Sequence, residues 1–442
     1  MNKKLFLFSA IALSGALLSC SSSDDSDSGR TEYVNMLSTP VPISLTQEQR
    51  VFANDNNGFT LNFMKTVNDL DKTGKSFIYS PLSITYVLGM VNDAATGQTE
   101  QELEQTLGFH QGGIQAVNDY CKKLIEGLPK VDKDVTLNIA NAIFLNKDYT
   151  LKKQFQQDMQ TYYDAKAEAL DFKASSTLSH INGWCKEKTN GMIPTILDAV
   201  NPDMVSYLLN AIYFKADWTS KFDQKNTKEE TFHPEYEYLM DISKPIKLPL
   251  MHQEVLIKYL KNDTYSAIEM PYGNHYWNMT VMLPEEGKTT EDIISLLAQR
   301  GLYMKTYLGE EGDLLSPYEV DLKLPRFETD SDTDKLDVAD GLVGLMKKMG
   351  IKLAFDKDYA EIPNMCEKKS LYIAMMRQKA KIKVNEEGSE AAAVTVAGMD
   401  LCTAAGPDMY PKATFHANRP FVYVISEASS GVILFVGKFT GV

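Results

Sequence analysis

The sequence predicts an α+β protein built around large antiparallel sheets. Residues 59–70 place apolar side chains at helical spacing, which predicts a helix that buries one face. Residues 138–145 and 207–214 are short, almost continuous apolar runs, and such runs are typical of strands buried on both faces. Because helices and strands do not alternate in the regular order of βαβ units, a parallel α/β architecture is disfavoured.

The remaining elements follow in chain order. Ser80 and Pro81 predict the start of a second helix, since Ser is a common N-cap and Pro is well tolerated at the first helical position. Residues 279–283 form a third candidate for a buried strand, closed by a proline. Near the C-terminus, residues 421–425 and 432–436 are apolar runs joined through a Ser-Ser-Gly turn, which predicts a hairpin in the core.

The composition indicates an ordinary globular protein. The 442 residues carry 45 Lys and Arg against 59 Asp and Glu, a formal net charge of −14, and 44% of them are hydrophobic. An acidic chain without basic clusters disfavours nucleic acid and anionic membrane surfaces as partners. The five cysteines and six histidines are scattered, so neither a disulfide framework nor a metal site is predicted, and no sequence motif suggests a cofactor.

The N-terminus predicts export. Lys3 and Lys4 precede an apolar run over residues 5–18, which is too short to span a membrane and fits a secretory signal peptide over residues 1–19. The run ends in Leu-Leu-Ser-Cys, which resembles the lipobox of a bacterial lipoprotein. Cys20 would then be the lipidated residue.

Residues 20–44 are predicted to be a disordered tether, because their Ser- and Asp-rich start cannot bury a core. The acidic stretch directly after Cys20 resembles the surface-export signals of some Gram-negative lipoproteins. We therefore expect a secreted protein that is anchored by its lipid to the outer membrane and exposed at the cell surface. The alternative is a plain secreted protein whose signal peptide happens to end in Cys.

Residues 384–396 change abruptly from charged to very small side chains, with no proline. In a strand, one face of this segment would carry only small side chains and the opposite face would carry Glu390. The small face would consist of Ser389, Ala391, Ala393 and Thr395. The segment can thus enter a sheet or remain outside it. The alternative interpretation is a small-residue surface linker.

Eight short motifs are spread along the chain: FIYSPLSI at 77–84, DAATGQT at 93–99, INGW at 181–184, TNGMI at 189–193, LNAIYFKADW at 209–218, LPRF at 324–327, LMKKMGI at 345–351 and FHANRPFVYVI at 415–425. Any one of them could arise by chance. In this order they resemble the serpin family, from about residue 45 to the end. The chain is therefore identified as a member of that family in bacterial lipoprotein form, with a serpin domain over residues 45–442.

The resemblance implies a fold and a function. The expected fold is the α+β serpin fold with three β-sheets, about eight or nine helices and an exposed reactive-centre loop at about residues 386–416. The expected function is suicide inhibition and not catalysis: a protease attacks the loop, an acyl-enzyme forms, and the cleaved loop inserts into the central sheet. The hinge that would lead the insertion has the small residues of inhibitory members. It consists of Glu386, Gly388, Ser389, Glu390, Ala391, Ala392 and Ala393.

Counting from the hinge as in the family places the reactive bond between Cys402 and Thr403, with Leu401 as the alternative residue before the bond. After Thr403 the chain is longer than is usual in the family. Leu401 and Cys402 suit elastase-, chymotrypsin- or subtilisin-like serine proteases, and papain-like cysteine proteases are a second candidate class. We expect the protein to act as a monomer.

Two other functions are compatible with the sequence. A serpin fold can be kept for binding, as in a non-inhibitory ligand carrier or adhesin at the cell surface. Cys402 and His416 could also form the catalytic pair of a hydrolytic enzyme, although two isolated residues carry little specificity.

The resemblance also assigns supporting residues. Arg326 and Glu386 correspond to a cation–carboxylate pair where the loop enters the central sheet, and Trp218 belongs to the same region. The alternative for this pair is a surface salt bridge that contributes little to stability. A polar cluster is expected midway down the sheet. Its members are Ser80, Ser83, Asn210 and Gln378, and because Gln378 stands where the family usually has a His, we expect an altered hydrogen-bond network without that residue's pH dependence.

Overall fold

The structure is a computed structural model, and the residues it describes belong to one compact unit, Leu37–Val442. The described residues are 37–234, 245–300, 315–367, 371–389 and 410–441. They contain eight helices, within the expected eight or nine: α1 (Gln47–Leu70), α2 (Pro81–Ala94), α3 (Gly97–Leu107), α4 (Gly113–Gly127), α5 (Lys153–Tyr163), α6 (Thr177–Lys188), α7 (Thr290–Arg300) and α8 (Leu342–Met349).

The strands of the described residues are β1 (Phe77–Tyr79), β2 (Thr136–Asn146), β3 (Lys166–Leu170), β4 (Ser206–Asp217), β5 (Lys228–Phe232), β6 (Ile246–Lys261), β7 (Tyr265–Tyr272), β8 (Trp277–Pro284), β9 (Ser316–Pro325), β10 (Phe327–Asp332), β11 (Met376–Val384), β12 (Gly388–Ser389), β13 (Lys412–His416), β14 (Phe421–Glu427) and β15 (Ile433–Phe439). The three predicted buried strands are confirmed as β2, β4 and β8. The predicted C-terminal hairpin is confirmed as the antiparallel pair β14 and β15. The α+β class predicted from the sequence is therefore correct.

The strands form two sheets in the described part of the chain, although three were expected. The central sheet has the order β10-β11-β12-β4-β2-β3. The second sheet has the order β1-β15-β14-β8-β7-β6-β9-β13, with β5 also paired to β6. The count differs because β6 is 16 residues long and pairs with β5, β9 and β7 in turn, so it joins strands that would otherwise belong to separate sheets.

Helix α2 lies in the core between the two sheets' strands. Every residue of it except Asp93 is buried, as expected for a helix that is covered all round. Ser80 occupies the predicted N-cap position, but its side chain makes no capping hydrogen bond. Helix α1, by contrast, starts with a complete capping box between Thr46 and Gln49, and the helix predicted over residues 59–70 is only its second half.

Residues 37–44 correct the boundary expected for the tether. We assigned them to the disordered segment, but in the structure they pack on the folded body. Ser38 donates to the Asp132 carboxylate at 2.5 Å, and the Ile43 backbone N–H donates to the Ser429 hydroxyl at 2.8 Å. Ile43 is also buried. Residues 37–44 therefore belong to the folded part of the chain. We call residues 37–44 the N-terminal strap.

The boundary between β11 and β4 has two unlike ends. At one end the strands pair directly and in parallel over four residue pairs, the last of which is Lys379 with Ala211. At the other end Ser389 of β12 lies between Val384 and Ala216 and pairs with both in antiparallel fashion. Since neighbouring strands lie about 4.8 Å apart, β11 and β4 are about 10 Å apart there. We call these the paired end and the open end.

Candidate functional site

A tight turn brings the chain from β11 back into the sheet as β12. Asn385 organises this turn. Its backbone N–H donates to the Gly388 carbonyl at 2.9 Å, and its side-chain oxygen accepts hydrogen bonds from the backbone N–H groups of Glu387 and Gly388. An Asn side chain that accepts such bonds is typical of turns. The turn places β12 in the sheet directly beside the strand that precedes it.

Gly388 fits at the open end because it has no side chain. A Cβ atom here would lie 2.1 Å from the Ala216 carbonyl oxygen, so the backbone of β4 would have to move. The next residue, Ser389, is fully buried, and its hydroxyl lies 2.6 Å from the Tyr272 hydroxyl. Burial raises the pKa of Tyr272 well above its ordinary value, so the phenol keeps its proton. The open end therefore accommodates a residue without a side chain, Gly388, followed by a residue with a small polar side chain, Ser389.

Glu386 is held at the open end by a cation and a hydroxyl. Arg326 donates to both carboxylate oxygens, with Nε 3.2 Å from Oε2, and the Thr227 hydroxyl donates to Oε1 at 2.6 Å. The Glu386 side chain is 3% exposed, whereas that of Arg326 is 44% exposed. Burial pushes the pKa of Glu386 upward, but the hydrogen bonds from Arg326 and Thr227 outweigh it and hold the pKa below its ordinary value.

Trp218 holds the turn from the other side. Its backbone N–H donates to the Glu387 carbonyl at 2.7 Å, and its indole N–H donates to the Asn385 carbonyl at 2.9 Å. The indole stacks on the Tyr272 ring, with 4.3 Å between ring centroids and 12° between planes. Because Tyr272 also contacts Ser389, one aromatic stack supports both the turn and the buried hinge residue.

A second cluster, fully buried and neutral, lies at the paired end of the boundary. The Gln378 side-chain N–H groups donate to the Ser80 carbonyl, the Ser83 hydroxyl and the Asn210 side-chain oxygen, at 2.9, 2.9 and 3.0 Å. The Gln378 side-chain oxygen accepts from the Ser80 backbone N–H at 3.0 Å. The structure thus brings together all four residues that the resemblance assigned to this cluster. Their role during loop insertion stays a prediction.

Two polar atoms beside this cluster have no hydrogen-bond partner among the described residues. They are the Ser80 hydroxyl oxygen and the side-chain nitrogen of Asn141, and both are buried. Asn141 accepts a hydrogen bond from Asn210 through its oxygen at 2.8 Å, so only its donor side is unmatched. Unmatched buried polar groups are costly, so a further hydrogen-bond partner beside either atom would be stabilising.

Several predicted residues lie outside the described part of the chain. They are Cys20, Glu390, Ala391, Ala392, Ala393, Leu401, Cys402 and Thr403. The hinge is therefore described at Glu386, Gly388 and Ser389 only. His416 lies on β13, where it contacts the Asp321 carboxylate at 3.0 Å. Within the described ranges no group of three or more His, Cys, Asp or Glu could hold a metal ion, and no helix is long and apolar enough to cross a membrane.

Sequence reasoning missed three residues of the open end. Tyr272 and Thr227 come from distant parts of the chain, and no local pattern marks them as partners of the hinge. Asn385 did carry a signal, because an Asn shortly before a Gly is typical of a turn.

The fold and this site together define a class of protein: one whose central sheet is parted at one end, where a short strand from the following loop lies between its neighbours. The family described as "Serpin (serine protease inhibitor)" matches residues 54–441. The chain belongs to the serpin family.

Individual relatives agree with this assignment. The chain is 30% identical to Serpin B6 of Macaca fascicularis over 395 residues, which cover 88% of this chain and 99% of that protein. It is 28% identical to the human leukocyte elastase inhibitor over 389 residues, which cover 87% and 98% of the two chains. The structure of human thyroxine-binding globulin superposes with a TM-score of 0.75 at 26% identity, over 88% of this chain and 98% of that one.

Proposed function

We propose that this protein is a suicide-type inhibitor of serine proteases that traps the acyl-enzyme by inserting its cleaved loop between β11 and β4. The observation that carries the proposal is the open end. Two hinge residues, Gly388 and Ser389, already lie in the sheet as a short strand that pairs with β4, and Ser389 also pairs with β11. Insertion would extend an existing ladder, so the costly first step of strand pairing is already made.

The register of β12 fixes where each following residue would go. Ser389 lies opposite Val384 and Ala216 in an antiparallel arrangement, so each later residue pairs one position earlier on both neighbours. Glu390 would then lie between Lys383 and Lys215. These lysines belong to the face of the sheet opposite the core, and a carboxylate between two ammonium groups is a favourable cross-strand arrangement.

The same register carries Thr395 to the neutral cluster. Its neighbours there would be Gln378 on β11 and Asn210 on β4, which pair with each other before insertion. On the core face, the Thr395 hydroxyl would lie near the unmatched Ser80 hydroxyl, which borders Gln378. Each hydrogen bond formed there would contribute about 1 kcal/mol. A polar side chain, Thr395, would thus reach the position in the sheet that borders an unmatched buried polar atom.

Length and energy are consistent with this mechanism. A strand that runs from Gly388 to a reactive bond after Cys402, or after Leu401 as the alternative, would span about 50 Å at roughly 3.3 Å per residue. The new ladder hydrogen bonds would contribute on the order of 10 kcal/mol in total. That energy is comparable to the stability of a typical protease domain, so the insertion can distort the active site of the attached enzyme.

The proposed targets are serine proteases with apolar primary pockets, of the elastase, chymotrypsin or subtilisin type, with papain-like cysteine proteases as a second class. The name of the leukocyte elastase inhibitor supports the first group. The test is incubation with elastase, subtilisin, trypsin and papain. An adduct that survives SDS, together with release of residues 403–442, is the expected result. Clean cleavage without adduct by every protease would contradict inhibition.

A non-inhibitory binding role is the second candidate, and the relative that favours it is thyroxine-binding globulin. If loop insertion does not occur, limited cleavage of the loop would leave the thermal midpoint of the protein unchanged. If inhibition is the function, cleavage within the loop should raise that midpoint strongly. Differential scanning calorimetry before and after cleavage distinguishes the two.

We also propose that Cys20 carries a lipid that anchors the protein to the outer membrane, with the serpin domain outside the cell as a monomer. The lipobox-like sequence and the acidic run after it support this location. Replacement of Cys20 by Ala should move the protein from the membrane fraction to the soluble fraction, and should not alter inhibition in solution. Retention of the variant in the membrane would contradict the anchor.

A further inference from the structure

Two buried hydroxyl groups meet beneath the open end of the central sheet. The Tyr272 hydroxyl lies 2.6 Å from the Ser389 hydroxyl, and neither side chain is exposed to solvent. Among the described residues, each of these hydroxyls has no other hydrogen-bond partner. Tyr272 is the last residue of β7 in the second sheet, and Ser389 is the last residue of β12 in the central sheet. This hydrogen bond therefore ties the hinge to the second sheet.

The Tyr272 ring is enclosed by other aromatic rings. The Trp218 indole stacks on it at 4.3 Å, and the Phe214 ring meets it edge-on at 5.5 Å, both measured between ring centroids. The indole N–H is already donated to the Asn385 carbonyl, and Phe214 has no polar side-chain group. These neighbours therefore give the Tyr272 hydroxyl no replacement for Ser389.

The hydrogen bond exists only while the hinge lies in the sheet. We call the hinge seated when Gly388 and Ser389 occupy β12, and released when they leave it. On release, Ser389 would move into solvent, where water satisfies its hydroxyl. Tyr272 would stay inside the molecule, because β7 is paired with β8 along its whole length. Its hydroxyl would then lose its partner, and a buried hydroxyl without a partner costs free energy.

We propose that Tyr272 is a positioning residue for the inhibitory reaction, whose hydroxyl holds the hinge seated until the loop is cut. The consequence for inhibition rests on the proposed function. A seated hinge extends its strand at once after cleavage, whereas a released hinge must first re-enter the sheet. During that delay water can attack the acyl carbonyl, which frees the serine hydroxyl of the protease and leaves a carboxylate on the cleaved loop. The seated fraction thus decides how much protease is trapped.

Three variants separate the hydrogen bond from the packing around it. Tyr272→Phe keeps the ring and its stack but leaves the Ser389 hydroxyl buried without a partner. Ser389→Ala removes that hydroxyl and leaves only the phenol unmatched, in the seated and the released form alike. The double variant has no polar group at the contact, so seating buries no unmatched hydroxyl. The two substitutions should therefore be strongly non-additive.

Release is measured without any protease, by hydrogen exchange in the whole, uncleaved protein. The reporters are the Ala216 amide, which faces Ser389, and the Trp218 amide, which donates to the Glu387 carbonyl. Exchange through local opening is proportional to the released fraction. We expect exchange to be at least about tenfold faster in Tyr272→Phe, about threefold faster in Ser389→Ala, and close to that of the unsubstituted protein in the double variant.

Tyr86→Phe is the matched control. Tyr86 is also fully buried, in α2, but its hydroxyl has no hydrogen-bond partner among the described residues. Its removal should therefore leave exchange at the two reporters unchanged. Equal exchange in Tyr272→Phe and Tyr86→Phe would overturn the positioning role, as would a double variant that exchanges as fast as Tyr272→Phe.

A variant on the hinge side keeps the test decisive if Tyr272→Phe does not fold. Ser389→Val places a methyl group where the Ser389 hydroxyl now lies 2.6 Å from the phenol, and release of the hinge relieves that contact. Exchange at least about tenfold faster is expected, because the seated form is overpacked and its phenol is unmatched. Unchanged exchange in Ser389→Val would contradict the inference.

The effect on trapping is the ratio of cleaved inhibitor to SDS-stable adduct after reaction with elastase. This ratio should rise in Tyr272→Phe in step with the released fraction, return in the double variant, and stay unchanged in Tyr86→Phe. A merely structural role of Tyr272 would lower the thermal midpoint without moving the ratio. Equal ratios in Tyr272→Phe and Tyr86→Phe would therefore refute the link to trapping.

Failure of the proposed function has a different signature. If the unsubstituted protein forms no adduct with any protease, the consequence for trapping falls together with the proposed inhibition. The exchange measurement would still decide whether the Tyr272 hydroxyl holds the hinge, since it involves no protease.

Discussion

The two ends of the boundary between β11 and β4 are closed by different chemistry. At the paired end, the strands contact each other directly and are tied by neutral, fully buried groups around Gln378. At the open end, they are separated by β12 and tied by a turn, an aromatic stack and the ion pair of Glu386 with a partly exposed Arg326. The same two strands are thus joined at one end and parted at the other within one molecule.

This difference also indicates how each end responds to its surroundings. Buried neutral hydrogen bonds are insensitive to pH and salt, whereas a half-exposed ion pair is weakened by both acid and ionic strength. The stability of the open end should therefore vary with pH and salt. The hydrogen bonds of the paired end should determine how much free energy further separation of β11 and β4 requires.

The largest expected effect is at the paired end. Replacement of Gln378 by Leu removes four buried hydrogen bonds. The Ser80 backbone N–H loses its partner, whereas the Ser80 carbonyl, the Ser83 hydroxyl and the Asn210 oxygen each lose one bond and keep those that join them to one another. We expect a loss of about 3 kcal/mol in the free energy of unfolding, measured from the urea midpoint.

Gln378→His should lose less free energy of unfolding than Gln378→Leu at pH 8. It should become less stable as the pH falls below about 6.5, because a buried imidazole resists charging. A flat pH profile for Gln378→His would contradict this account of the cluster.

The next largest effect is at the open end. Gly388→Ala places a methyl group against the β4 backbone and should expel β12, with loss of the Ser389–Tyr272 hydrogen bond and about 2 kcal/mol of stability. Hydrogen exchange of the Ala216 amide, which faces Ser389, and of the Trp218 amide, which donates to the Glu387 carbonyl, reports the expulsion. Gly183→Ala, within α6, should be neutral or slightly stabilising, because Ala has the higher helix propensity. Unchanged exchange at β4 in Gly388→Ala would show that the hinge stays seated.

The pH dependence of the open end comes from Glu386. Its pKa is lower in the folded protein than its ordinary value of 4.5, so the ion pair stabilises the fold above that pH and the stabilisation is lost as the pH falls through the lowered pKa. Because Arg326 is partly exposed, we expect only about 1 kcal/mol. Glu386→Gln should remove this amount at pH 7 and flatten the stability profile below pH 4.5. Glu328→Gln, in the exposed pair with Lys381, is the matched control and should change little.

The smallest expected effect is at Lys221, which bridges Asp217 and Glu387 at 2.8 Å each. Lys221→Met should cost about 0.5 kcal/mol at low ionic strength, and the difference should shrink in molar salt because the Asp217 side chain is 51% exposed and its charge is readily screened. Urea midpoints at two salt concentrations measure it. A difference that persists in high salt would show that packing of the Lys221 stem, and not charge, supports the turn.

Residues of the open end could be predicted from the sequence only where a short stretch of neighbouring residues marks them. The small residues at 388 and 389 were visible, and the structure gives their reason in the Ala216 carbonyl and the Tyr272 hydroxyl. Tyr272 itself could not be found, because it lies 117 residues from its partner and is one tyrosine among 22.

Strand β6 shows a different obstacle. Its burial pattern does not alternate regularly, because its two halves pair with different strands and so face different surroundings. A period-two pattern cannot persist along such a strand, and the sequence therefore gave no sign that two expected sheets are joined there. The start of α1 is the opposite case. The Thr46 and Gln49 capping box was readable, and the fold begins even before it.

The N-terminal strap has a mechanical consequence. Its hydrogen bonds, from Ser38 to Asp132, from Val41 to Val131 and from Ile43 to Ser429, follow one another along the chain. A force applied at Leu37 would load them one at a time, beginning with Asp132. That carboxylate also accepts the backbone N–H of Asn274, two residues after Tyr272. Tension on the strap would thus be transmitted to the tyrosine that holds Ser389.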